Sequence, residues 1–67
     1  MEVGEKVVFV GDARDGVERG EHGRVMAVRH DGVMVRCRVR ERLQDVLVHT
    51  WEVMPEALWR RLSKRLQ

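Results

Sequence analysis

The side chains here with the most chemical potential are arginines, and their spacing suits the binding of an anion. Between Val33 and Arg40, Val33, Val35, Cys37 and Val39 fall on one face of an extended strand, and Met34, Arg36, Arg38 and Arg40 fall on the other, because strand side chains alternate with period two. Arg29 and Arg24 lie on the apolar and basic stretch just before it. Guanidinium groups arrayed this way can track a phosphate backbone, since arginine hydrogen-bonds phosphate with two parallel donors and releases counterions as it does so. A plainer use of the same pattern is a solvated strand face, charged to keep the sheet apart from other sheets. Asp31, Glu41 and Asp45 are near enough in sequence to neutralise part of it.

The other reactive types do not assemble into a site. His22, His30, His49 and Cys37 are separated by loops and by alternate faces, without the short ligand spacing of a metal centre. Cys37 shares its face with three valines, so it reads as a small buried hydrophobe, and no base is placed beside it to make it a nucleophile. Asp12 and Asp15 lack the regular oxygen spacing of a cation loop and are explained by turn formation. No catalytic residue, metal ligand or cofactor is therefore expected, and the chain is read as a non-enzyme. Of the aromatics, Phe9 suits a core, and Trp51, beside His49, is the candidate for stacking or for an interface, although a tryptophan at the end of a small β-fold also serves as a lid. A cage for methylated lysine needs several rings, and the chain has no tyrosine. Met34, on the arginine face, is an interface candidate; Met26 and Met54 are core or interface filler.

The elements that must position these groups are short. Lys6 to Val10 is valine-rich and ends at Gly11-Asp12, which reads as a first strand. Gly11 to Gly23 is polar and glycine-broken, a long loop in which Val17 is the one large apolar residue. Arg24 to Arg29 and Val33 to Arg40 form a hairpin around His30-Asp31-Gly32, whose Asp-Gly pair favours positive φ. Leu43 to His49 is a fourth strand, and Thr50 to Val53 reads as a helical turn or as a short fifth strand. Pro55 suits the first position of a helix and Glu56 its first turn. In that helix Leu58, Trp59, Leu62 and Leu66 make one apolar stripe, with Arg60, Arg61, Lys64 and Arg65 opposite. The stripe must bury against the β-domain, against a copy of itself in a homodimer, or against a partner.

These elements fit one domain: a mainly β unit over 1–54 and a C-terminal helix over 55–67, packed on that unit or on a partner. The chain has 67 residues, 36% charged and 43% hydrophobic, with a net charge of +2. Residues 1–20 carry five acids and three bases, and residues 21–67 six acids and ten bases, so the basic character is C-terminal. The single cysteine excludes a disulfide framework within the chain and fits a reducing cytoplasm. No run is apolar enough to span a bilayer as a helix, and the first residues lack a basic and apolar leader, so neither membrane insertion nor secretion is expected.

Gly4-Glu5-Lys6-Val7, then Gly20-Glu21-His22-Gly23-Arg24-Val25 and a valine-rich hairpin, resemble the KOW-type family of SH3-like barrels over Gly4 to Val39. The loop before Gly20 is longer than is usual there, and Glu18 and Arg19 stand where a lysine-rich turn is common. The segment Gly20 to Val25 is also similar to the small SH3-like insert of DNA helicases. Both resemblances imply a five-stranded SH3-like barrel and nucleic-acid machinery. Two functions follow as expectations. One is binding of DNA or RNA through Arg24, Arg29, Arg36, Arg38 and Arg40 and through Arg60, Arg61, Lys64 and Arg65, largely without reading sequence. The other is docking on a larger protein of such machinery through Met34, Trp51 or the stripe of Leu58, Trp59, Leu62 and Leu66.

Overall fold

The structure, a computed structural model, describes residues 1–14 and 16–65, with the side chain of Arg65 left out. It is mainly β: β1 (Lys6–Phe9), β2 (His22–Arg29), β3 (Gly32–Val39), β4 (Arg42–Val48), a 3-10 turn η1 (Thr50–Glu52), β5 (Val53–Pro55) and a C-terminal helix α1 (Glu56–Arg65). The strands make one antiparallel sheet in the order β4-β3-β2-β1-β5, so the last strand returns to pair beside the first. No described helix is long and apolar enough to cross a membrane.

Alternation decides which way each strand faces. Val33, Val35, Cys37 and Val39 of β3 are buried, as their period-two spacing demands, together with Val7 and Phe9 of β1, Val25 of β2, Val48 of β4 and Val53 of β5 in one cluster. Val17 joins them at 3% exposure. The loop that carries it turns inward at an isolated Arg14–Val17 bridge, so this polar segment supplies a plug to the core. Val8 is fully buried but lies outside the cluster, since its neighbours Val7 and Phe9 take the core face. It points to the outer face, where α1 contacts β1 and β5. The helix thus lies on its own sheet and covers the β1 and β5 side of the outer face.

Several boundaries differ from those the sequence suggests. Pro55 is the last residue of β5, opposite Val7, and α1 starts one residue later; a strand with only one neighbour tolerates a residue that has no N–H. The span Thr50 to Val53 supplies both of its alternatives, a 3-10 turn and then a strand. In the β2–β3 hairpin Asp31 keeps an ordinary φ and Gly32 alone turns positive, at 149°, directly opposite Arg29. The positive pair lies instead at Arg40 (φ 49°) and Glu41 (φ 70°), the two-residue turn between β3 and β4. Arg40 is therefore a turn residue, and the strand face of alternating arginines ends at Arg38. β2 begins at His22, and its register slips between Val25 and Ala27, a bulge at Met26.

The two glycines of the Gly20 to Val25 segment do different work. Gly20 has a φ of 95° and donates its N–H to the Phe9 carbonyl at 2.8 Å, closing the entry to β2. At Gly23 a Cβ would lie 2.5 Å from Val35 Cγ1 and 3.0 Å from the Arg36 carbonyl oxygen, so only glycine lets β2 approach β3 this closely.

Candidate functional site

Register brings basic residues from three strands into one line on the outer face. Lys6 of β1 stands opposite Arg24 of β2, Arg24 stands opposite Arg36 of β3, and Arg36 stands opposite Asp45 of β4. Three cations therefore lie directly side by side across the sheet with one carboxylate at the end. Like charges in opposed positions destabilise a sheet, whereas a face charged only for solvation could alternate its signs. The line borders an open groove of about 510 Å³, also lined by His22, Met26, Leu43 and Glu56 at the start of α1. Helix and sheet are joined across the end of this groove by His22 Nδ1 and Glu56 Oε2, 3.4 Å apart.

The three cations are not equally engaged. Arg36 donates Nε to Asp45 Oδ1 at 2.8 Å and Nη2 to Oδ2 at 3.3 Å, a two-pronged pair. Hydrogen bonding and then charge raise the Arg36 pKa, and the same hydrogen bond holds the Asp45 carboxyl below the usual carboxylate range. Arg24 donates Nη1 to the Gly4 carbonyl at 3.1 Å and makes no ion pair among the described residues, and neither does Lys6. These two are open to an anion, and Arg36 is held in place by its carboxylate.

The remaining residues expected to contact nucleic acid are dispersed. Arg38 is exposed beside Leu43 on the same face. Arg29 pairs with Asp31 at 3.1 Å at the far end of the hairpin. Arg40 sits in the β3–β4 turn. Arg60 is bound to Glu56 at 2.7 Å, one helical turn away, while Arg61 and Lys64 are exposed on α1. The side chain of Arg65 and all of Leu66 lie outside the described residues. Of the interface candidates, Met34 is half-buried between Ala27 and Leu47, and Trp59 is half-buried on the helix. Leu58 and Leu62 remain 39% and 40% exposed. Trp51 is 74% exposed, its ring stacked on that of His49 with centroids 4.2 Å apart and planes within 5°.

Lys6 is the site residue that sequence reasoning missed. Its position on β1, two residues before Val8, places it on the outer face, but its neighbour is set by the β1–β2 register across a long loop. No group of three metal-ligating side chains occurs among the described residues. Cys37 is a buried thiol whose pKa is raised, first by burial and then by the charges of Glu21 and Asp45, which keeps it protonated. No family model, curated protein or solved structure matches the chain.

Proposed function

We propose that this chain is a small non-catalytic module that binds nucleic acid, working with the machinery that handles it in a reducing cytoplasm, through phosphates laid along the outer face of the sheet. The observation that carries the proposal is the line Lys6–Arg24–Arg36, three cations in register across adjacent strands beside a groove. A bound phosphate removes their mutual repulsion, and Asp45 at the end of the line orients one guanidinium. Arg38 on the sheet and Arg61 and Lys64 on the helix extend the positive surface. Contacts of this type give affinity without sequence readout.

An SH3-like barrel of KOW type accommodates this reading. Val48 of β4 and Val53 of β5, from opposite edges of the strand order, share one cluster with residues of β1, β2 and β3, and the loop carrying Val17 adds to it. The edge strands β4 and β5 are not paired with each other, so the sheet is open, and the cluster they share supports a curled sheet of this kind. The return of β5 to β1 and the glycine-led entry to β2 fit the same barrel.

The test is fluorescence anisotropy of labelled single- and double-stranded DNA and RNA, with the variant Lys6→Ala/Arg24→Ala/Arg36→Ala beside a control, Arg29→Ala/Arg40→Ala. Binding by the wild type should weaken with salt, and the first variant should flatten the log–log salt dependence by roughly two to three units, near one per lost phosphate contact. The control should bind almost as the wild type does. Absence of binding at low salt would overturn the proposal. It would favour protein docking instead, for which the supporting observation is the exposed apolar set of Leu43 (68%), Leu58 and Leu62.

A further inference from the structure

Trp51 is the most exposed large aromatic side chain of the chain, yet its position is tightly fixed. It sits in η1, where the His49 N–H donates to Glu52 Oε1 at 2.8 Å and the Glu52 N–H donates to the His49 carbonyl at 2.9 Å. The Glu52 side chain is buried and also takes Arg14 Nη2 at 3.1 Å, and its carbonyl accepts the N–H groups of Val10 (2.7 Å) and Gly11 (3.2 Å). Arg14 reaches on to the Leu47 carbonyl at 2.9 Å. Val10 and Gly11, Arg14, and through Arg14 the carbonyl of Leu47 in β4, thus tie down the turn that presents the indole. His49 covers one face of that indole in a parallel stack, and Trp51 is nonetheless 74% exposed, which leaves room for a second ring on the indole.

We infer that the His49–Trp51 stack is a platform for one unpaired nucleobase, so that the strand bound is single. This deepens the nucleic-acid reading and rests on it. An open groove beside Trp51 is lined by Gly11, Asp12, Arg14 and Arg19. Arg14 is committed to Glu52, whereas Arg19 makes no ion pair among the described residues and is available to the phosphate next to a stacked base. A cationic ligand is disfavoured, because it needs several rings around it to replace its water and here a single indole is offered. A base stacks by a single face, whatever its identity, and duplex bases do not present theirs. β1 connects the platform to the phosphate line: Lys6 begins the strand and Val10, bonded to Glu52, follows its end, a separation of about 13 Å that a few nucleotides span.

The experiment compares a short oligothymidylate with an oligomer of the same length made only of abasic sites, both labelled and read by anisotropy. Trp51 fluorescence is followed in parallel in a Trp59→Phe background. The oligothymidylate should bind roughly fivefold or more tightly than the abasic strand and quench Trp51. Trp51→Ala should erase that difference while leaving abasic binding unchanged, a comparison that does not depend on the Trp59 variant. Equal binding of the two strands with unchanged Trp51 emission would overturn the platform and leave the phosphate line standing. Failure of both strands to bind at low salt would overturn the nucleic-acid reading and the platform with it.

Discussion

At the residue scale the pivotal pair is Arg36 with Asp45. A carboxylate that grips an arginine by two hydrogen bonds orients the guanidinium, and it also competes with any phosphate for the same donors. Asp45→Asn should therefore strengthen nucleic-acid binding several-fold at low salt and steepen its salt dependence, measured by the same anisotropy titration; weaker binding would mean that orientation outweighs competition. Acid should act in the same direction. The Asp45 carboxyl is lowered in the folded chain by its hydrogen bond to Arg36, so the stabilisation from this pair is present above the ordinary carboxylate range and is lost as pH falls through the lowered folded value. Protonation there frees Arg36, as the amide variant does at neutral pH. The sequence made half of this pair legible. Alternation alone placed Arg36 outward and Cys37 inward, but its cross-strand partners follow from register, and the bulge at Met26 that resets the β2–β3 register has no glycine, proline or change of pattern to announce it.

At the element scale the β3–β4 turn stands out, because Arg40 and Glu41 both occupy the left-handed region that favours glycine and asparagine. No glycine, proline or asparagine marks that turn, and for that reason the alternating pattern reads on through Arg40. Glu41→Gly should relieve the strain at φ 70° and stabilise the chain by about 0.5–1 kcal/mol, after the entropy that glycine adds to the unfolded chain is deducted. The midpoint of a urea titration would show it, and a fall in the midpoint would mean that the glutamate side chain supports the turn. Binding should be little altered, since Glu41 is outside the line of cations. The helix was legible for a different reason. Its apolar residues recur at helical spacing whatever lies beneath them, whereas its seat could be recognised only once Val8 proved to be buried on the face opposite Val7 and Phe9.

At the scale of the whole molecule, a net charge of +2 conceals a segregation in which three cations share one line. A domain of this size retains only a few kcal/mol of stability, so even a modest repulsion is measurable in its melting temperature. Salt screens that repulsion, and the free protein should melt slightly higher at near-physiological ionic strength than at low salt. Lys6→Gln removes one member of the line and leaves the ion pairs Arg14–Glu52, Arg29–Asp31, Arg36–Asp45 and Arg60–Glu56 intact. It should raise the low-salt melting temperature by about 2–4 °C, equivalent to about 0.5 kcal/mol in a domain of this length, and abolish most of the gain from salt. With a saturating oligonucleotide the sign reverses. The ligand stabilises the folded state in proportion to its affinity, and that affinity falls as counterions are restored, so the complex should melt lower as salt rises. Opposite salt dependences for the free and bound chain are what a binding line in which Lys6 and Arg24 lack ion-pair partners among the described residues requires. Two melting curves that rise together, with or without the oligonucleotide, would reduce the same residues to a solvated face.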